Sequence, residues 1–499
     1  MNQISHFNVK SLNIKEGGFK VILLLIPIIF LFFPNNNHLV DSLGYAGDVK
    51  YNVDLFAAHH LLFAWFNHLI YILVKFIFPA VDALKLMQFT NGIVALLCLL
   101  LLRKIIFKQT NDDTKATVWS VFVGCTFGVM RFAVEAETYI IPIFFSLLSS
   151  YFYLTYLKTD RTKYVFYSGL FASIACLFHQ IHLFWGIGLF IGLLFSKKIK
   201  PLFIFVLSTP IVLIGYSLVL VYSKHIDFSA INLFRFLADY YYSAQADVSV
   251  GGSNVVITAV TFFRTFFQVH GLVVEVLRLQ LLSYLAIPLV IGLLGISVVK
   301  LIKSLKLKPL KFRQSHFERT HFIIFILQFG FAFYSHGNSE FMVMLPFTIP
   351  IFLPLFLEFD LTALKSLSLS MLIWNAVFAI LPNHFVDYQN NKALLIVINN
   401  NPGKVFILKD RNTVVNQYFY DYGVQEYWRI IDNDNKKAIR KLKKKNVIFY
   451  TDIFSKRLPY SRVQFTTDLS SSNLVFIRHI TKISAAMGDF YVDEVKSLD

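Results

Sequence analysis

The sequence is poor in charge. Of its 499 residues only 15% are Asp, Glu, Lys or Arg, against about a quarter in ordinary soluble domains. Hydrophobic residues make up 56% and phenylalanine alone 54 positions, so a water-soluble globule is excluded and the composition is that of a membrane protein. Acid is scarcer than base: 30 Asp and Glu face 47 Lys and Arg, a net charge of +17. Such an excess points first to nucleic acid, but a chain this apolar cannot present a solvated duplex-binding surface. Cysteine is nearly missing. Cys98, Cys125 and Cys176 all fall inside apolar runs, which excludes a disulfide framework and a thiolate metal site. The sequence shows neither an inverted repeat of the kind that advertises a transporter nor a long low-complexity segment.

What is present is a series of apolar runs. A membrane-crossing helix needs roughly 17 to 25 residues, and about eleven runs qualify once flanking residues are borrowed. Their cores are Phe19 to Phe33, Leu84 to Ile106, Ala116 to Val134, Tyr139 to Leu157, Tyr164 to Phe178, Leu183 to Phe195, Leu202 to Tyr222, Leu279 to Leu301, Phe322 to Tyr334, Phe341 to Leu357 and Leu367 to Leu381. The first follows Lys10, Lys15 and Lys20, lacks a small-residue cleavage site, and reads as an uncleaved signal anchor with a cytoplasmic N-terminus. Alternation then assigns to the cytoplasm the loops with Arg103, Lys104, Lys108 and Lys115, with Lys158, Arg161 and Lys163, with Lys197, Lys198 and Lys200, and with Lys300 through Arg319. The opposite connections VEAETY, FHQIH and SHGNSEF carry no Lys or Arg, so the distribution obeys the positive-inside rule.

Two apolar stretches break this alternation unless both stay on the outer side. In Leu55 to Phe78 the polar residues His60, Asn67, His68, Tyr71 and Lys75 recur at helical spacing, and Arg264, Gln268, Gly271, Glu275 and Arg278 do the same in the second. Both read as amphipathic helices on the outer membrane surface, with a polar-lined span inside the bundle as the alternative. The expected fold is therefore mainly α: a polytopic helix bundle over residues 1–382. After Pro382 no span follows, and strand-like runs such as KVFILKD and KNVIFYTD alternate with helical ones. Residues 383–499 read as a small extracytoplasmic C-terminal α/β domain, with no nucleophile motif or phosphate loop. Its KKAIRKLKKK run reads as a solvated helix face, or as a binder of anionic lipid or glycan.

Polar residues collect at the outer mouths of the spans. In the first outer loop Asn52 or Asp54 reads as the N-cap of the amphipathic helix and Asp41, beside Ser42 and Gly44, as a turn residue. Asp48 has no such duty in mid-loop and is the best candidate for chemistry, or else a solvated loop acid. Glu135 and Glu137 stand at the junction of the third and fourth spans, at a depth where a carboxylate needs a partner or a watery cavity. Arg131, one turn before Glu135, is its expected ion-pair partner and leaves Glu137 freer. His179 and His182 occupy a tight turn, where they read as satisfied polar residues or as part of a site. His59 and His60 are adjacent and diverge on a helix, so no zinc site follows. Asn338 with Gly337 accounts for one turn, and Glu340 heads the next helix as a dipole-favoured acid.

In order and spacing over roughly residues 15 to 350, these features resemble the GT-C superfamily of glycosyltransferases. The nearest likeness is to bacterial relatives of protein O-mannosyltransferases, whose first loop holds a Gly-Asp pair followed by a His-Pro helix. Gly47 and Asp48 match that pair and His59 the family histidine, while His60-Leu61 departs from the prolines. AETYIIP resembles an Ala-Glu-Val-Tyr segment through Glu137, LFHQ an Asn-His turn through His179, and GNSEF an Asn-x-Glu-Phe segment through Asn338 and Glu340.

The resemblance implies a membrane glycosyltransferase of inverting type, in a bacterial inner membrane. Its donor would be a polyprenyl-phosphate sugar and its acceptor an extracytoplasmic protein, lipid or glycan. Asp48 would be the general base, with Glu137 and His179 also catalytic. His59, Arg131, Arg264, Asn338 and Glu340 would bind substrate, with Arg131, His179, Arg264 or Lys75 facing the leaving phosphate. No metal ligand is assigned, although Asp48 and Glu137 are compatible with a shared divalent ion. Two rival classes are a lipid-linked glycan flippase or transporter and a non-enzymatic membrane scaffold; charge gathered on one side disfavours the first.

Overall fold

A computed structural model describes residues 16–239, 251–269, 272–308, 316–425, 428–432, 449–454, 474–486 and 488–497. Gly271 and the KKAIRKLKKK run at 436–445 lie outside the described residues. The first part of the chain folds as α1 (Glu16–Phe32), α2 (Val40–Tyr51), α3 (Phe63–Ile77), α4 (Ala83–Thr110), α5 (Asp113–Gly124), α6 (Phe127–Ala133), α7 (Ile140–Thr159), α8 (Lys163–Phe178) and α9 (Leu183–Phe195). Further helices include Gly252–Phe266, Ala286–Ser304, His316–Tyr334 and Leu361–Asn375.

All eleven expected runs fall on helix, but they are not eleven equal spans. Among the described residues five helical segments are long and apolar enough to cross a membrane, and the α5–α6 pair, bent by 69°, is a sixth if taken as one. The bend leaves main-chain groups without helical partners, and one residue from far along the chain meets them. Asn375 donates to the carbonyls of Cys125 at 2.9 Å and Phe266 at 2.8 Å and accepts from the Gln268 N–H at 2.9 Å.

The basic connections gather at one end of the bundle. There Arg103 pairs with Asp113, Lys198 with Asp160 at 2.7 Å and Lys300 with Asp360 at 4.0 Å. The α6–α7 junction, the α8–α9 turn and the turn at 335–342 lie at the other ends of the same helices.

The first long connection departs from expectation. Residues 40–51 are not loop but helix α2, so Asp41 is in its first turn rather than in a reverse turn, and Asp48 lies within its last turns rather than in mid-loop. Asn52 closes that helix from its C-terminal side in the left-handed region, and Asp54 is paired with Lys224 at 2.5 Å, so neither caps a following helix. Helix α3 does form in the expected amphipathic stretch. Most of its polar stripe faces protein: Asn67 and Tyr71 are buried and His68 meets the Val49 carbonyl at 2.7 Å, while Lys75 and the apolar Leu73, Phe76 and Ile77 are exposed. The second stretch is split between Gly252–Phe266 and Leu272–Leu279, so its polar residues do not form one continuous helical stripe.

Towards the C-terminus, among the described residues, a five-stranded mixed sheet runs Ile430–Asp432, Val405–Leu408, Phe449–Thr451, Phe490–Ser497, Leu474–Ile483. Val405–Leu408 pairs in parallel with both neighbours and all four of its residues are buried, as a central parallel strand requires. The Arg411–Tyr422 helix makes the crossover between two of these parallel strands, and its Val414, Val415 and Tyr418 share a core with Phe406 and Leu408. Its other side packs on α2.

Candidate functional site

Helix α2 supplies the site's floor. At 3.6 residues per turn Asp41, Tyr45 and Asp48 share one face, and a rise of 1.5 Å per residue puts Asp48 about 10 Å along the axis from Asp41. The face is therefore a short rail with a carboxyl at each end and a tyrosine between them.

The Asp41 end is crowded with acid. Ser42 donates to Glu137 Oε1 at 3.0 Å, which joins α2 to the α6–α7 junction. That junction is fixed from α4: Asn91 donates to the carbonyls of Glu135 at 2.7 Å and Glu137 at 2.8 Å. Glu137 is buried, and burial, with Asp41, Glu340 and Glu135 nearby, holds its carboxyl well above the usual range. Asp41 is exposed at the surface, with protein close enough on other sides to desolvate its carboxyl in part. That desolvation, helped by Glu340, raises it to about 6. Glu340, from a short turn at 340–342, accepts the Tyr139 hydroxyl at 2.8 Å. Gly337 permits this turn: its φ is +68°, and a Cβ there would stand 2.8 Å from the Thr258 nitrogen.

Tyr139 leads to the histidines. Its ring centroid is 5.2 Å from that of His179, which in turn is 6.5 Å from both His59 and His60. Tyr45 of α2 meets the His60 ring edge-on at 4.8 Å. His179 Nδ1 accepts the Ile181 N–H at 3.3 Å, so a neutral ring carries its proton on Nε2. Burial keeps His179 neutral by pushing it well below the usual value, with His59, His60 and His182 adding to the effect; burial brings His59 to about 4. His60 is buried with neither ring nitrogen hydrogen-bonded, a cost of about 1–3 kcal/mol per group that a bound polar ligand would relieve.

The sequence-derived set divides accordingly. Glu137, His179, His59 and Glu340 come together with Asp41, Ser42, Tyr139, Tyr45 and His60. Asp48 shares their helix face but sits two turns away, where burial and the Asp54 carboxylate raise it to about 8 against the opposing pull of Lys224. Glu135 is not paired with Arg131. Its partners are Asn35 and, at 3.8 Å, His38, and the Arg131 guanidinium lies 4.9 Å from the Phe132 ring. Arg264 lies 5.8 Å from the Phe127 ring, one turn before Arg131 on α6. Asn338 accepts the Glu340 N–H at 2.9 Å and so shapes the turn that presents Glu340. Among the described residues no group of three or more His, Cys, Asp or Glu is arranged to hold a metal ion.

Asp41 and Tyr45 are among the gathered residues to which the sequence pattern gives no site role. Their signal was the spacing of Asp41, Tyr45 and Asp48 at i, i+4 and i+7, obscured by Ser42 and Gly44, which read as a turn.

No family model and no curated protein matches the sequence. Among solved structures the chain is similar to the oligosaccharyltransferase of Archaeoglobus fulgidus tethered to an acceptor peptide with the NVT sequon, at a TM-score of 0.46 and 9% identity over 81% of this chain and 63% of that one. It therefore spans less than two thirds of that protein. It is also similar to ArnT from Cupriavidus metallidurans bound to undecaprenyl phosphate, at a TM-score of 0.44 and 9% identity over 96% of this chain and 98% of that one. Both are glycosyltransferases of the GT-C type. The likeness is one of the course of the chain alone.

Proposed function

We propose that the protein transfers a sugar from a polyprenyl-phosphate donor to an extracytoplasmic acceptor, with inversion at the anomeric carbon. The observation that carries this reading is the meeting of Asp41, Glu137 and Glu340, from three separate segments, around Tyr139 and His179 at the end of the bundle away from the basic loops. Residues 1–382 form the membrane part in this reading and 383–499 an extracytoplasmic unit. The N-terminus is cytoplasmic and the membrane is the bacterial inner membrane.

A general base must be ionised when the acceptor hydroxyl arrives and must bind its proton firmly enough to take it. Asp41, raised to about 6, meets both conditions at neutral pH, whereas Asp48, at about 8, mostly holds its proton there. We therefore assign the base to Asp41 and give Asp48 the role of a hydrogen-bond donor farther along the rail. The hydroxyl attacks the anomeric carbon and its proton passes to Asp41. The anomeric C–O bond to phosphate breaks, and its electron pair leaves on the lipid phosphate. His179 presents Nε2–H to the charge growing on that phosphate, with Arg131 and Arg264 supplying positive potential. Glu137, protonated and held by Ser42, orients the acceptor. A divalent ion among the carboxyls is compatible with this chemistry and is not required by it.

The test uses full-length protein in membranes, with the lipid-linked sugar fraction of the source cells as donor and release of polyprenyl phosphate as readout. Asp41→Asn should abolish release while wild type and Asp48→Asn retain it. Loss only in Asp48→Asn would return the base to Asp48. A wild type that moves the lipid-linked sugar across the membrane without breaking its phosphate bond would establish the transporter class instead.

A further inference from the structure

Helix α2 has a second face, which turns away from the carboxyl rail by about a quarter turn. Val40, Gly44, Gly47 and Tyr51 follow one another at i, i+4, i+7 and i+11, a single stripe on a helix of 3.6 residues per turn. Opposite them stand Asn416, Phe419, Tyr420 and Gly423 of the Arg411–Tyr422 helix and its C-cap. Asn416 donates to the Val40 carbonyl at 2.8 Å, beside Asp41. Lys50 and the Tyr51 hydroxyl donate to the Tyr420 carbonyl at 2.8 and 3.0 Å, and the Tyr420 hydroxyl accepts the Leu84 N–H at 3.3 Å.

The two glycines set how closely the helices approach. A Cβ on Gly44 would come within 3.2 Å of Asn416, and one on Gly47 within 2.5 Å of the Phe419 ring. The second distance is below any van der Waals contact, so the Phe419 ring occupies the volume that a side chain at position 47 would need. Helix α2 also starts without a side-chain cap: Leu39 stands at the N-cap and makes no side-chain cap bond. Its beginning is instead anchored through Asn37, which donates to the carbonyls of Asn383 at 2.9 Å and Val386 at 2.7 Å.

We infer that the Arg411–Tyr422 helix is a positioning element for the reaction, and that Phe419 seated on Gly47 and Asn416 bonded to Val40 set the placement of the Asp41–Tyr45–Asp48 face. The inference rests on the glycosyl-transfer reading above. Phe419 and Asn416 touch the back of α2 and act through it. Because the same helix packs its other side on the Val405–Leu408 strand of the sheet, whatever binds the sheet can shift the rail. A small displacement suffices, since misplacing a reacting group by about 1 Å costs on the order of 100-fold in rate.

The experiment is a size exchange across this contact, using the assay of released polyprenyl phosphate on purified full-length protein, with rates expressed per folded molecule. Gly47→Ala pushes on the Phe419 ring and should lower kcat at least 10-fold with donor KM within about twofold of wild type. Gly47→Ala with Phe419→Leu, which returns space to the contact, should recover most of that loss. A purely structural contact would instead lower the yield of folded protein and leave kcat per folded molecule unchanged in Gly47→Ala. That result, or a double variant as slow as the single one while its melting temperature is normal, overturns the inference. Failure of wild type itself to release polyprenyl phosphate would count against the glycosyl-transfer reading, so the two failures are distinct.

Discussion

Asp41 and Asp48 share one face of one helix, yet their surroundings give them different chemistry. Both are raised by desolvation, but Asp41 to about 6 and Asp48 to about 8. The rate of transfer should rise with pH along a limb centred near 6, because the base works only after losing its proton. A limb centred near 8 would instead mark Asp48 as the group that ionises. Replacing Asp41 by Asn should lower turnover by about 100- to 10,000-fold, the usual contribution of a positioned base. Ser42 makes a finer test. Its hydroxyl donates to Glu137, so Ser42→Ala removes a bond that favours the ionised carboxyl and should drive the Glu137 pKa higher still. Turnover should fall by less than in Asp41→Asn, and infrared difference spectra should show the Glu137 carboxyl protonated to higher pH than in wild type.

Helices assemble the site because their ends are tied by side chains from elsewhere. Asn91 carries two carbonyls of the α6–α7 junction. Asn91→Ala should cost about 1–3 kcal/mol, seen as a lower melting temperature in detergent, because it leaves buried acceptors without their donor. At this scale the sequence was legible where apolarity sets the element. All eleven expected runs lie on helix, and the basic loops collect at one end as the charge pattern required. Helix α2 was not legible. VDSLGYAGDVKY holds two glycines and three charges and has no strong apolar face; its buried positions, Ser42, Leu43, Ala46, Gly47 and Val49, mix small and apolar residues. Its helicity comes from packing against the Arg411–Tyr422 helix, a partner more than 350 residues away, and tertiary contacts of that kind override local propensity. The same cause hid Asp41, whose neighbours make no turn: Gly44 admits Asn416 of the distant helix, and Ser42 bonds Glu137. Arg131 failed as the partner of Glu135 because one-turn spacing does not say which side chains from other helices, here Asn35 and His38, arrive first.

As a whole, the molecule stores protons where its acids cluster. An aspartate whose folded pKa lies above its unfolded value stabilises the fold fully below the unfolded value, and that contribution disappears as pH rises through the folded one. For Asp48 the window runs from about 4 to about 8. The melting temperature should therefore decline across this range, and Asp48→Asn should flatten the decline between pH 6 and 8. An unchanged slope in that variant would mean that Asp48 is not the group responsible.

The bend between α5 and α6 has a consequence in time. The Cys125 carbonyl at that bend finds its donor in Asn375, 250 positions later. At about 5–20 residues per second, a ribosome needs on the order of 10–50 s to reach that asparagine. Throughout that interval the newly inserted segment holds a main-chain oxygen at the break with its final partner not yet made. The first third of the bundle is thus committed to the bilayer before it can be closed, and Asn375 is the residue whose synthesis completes it.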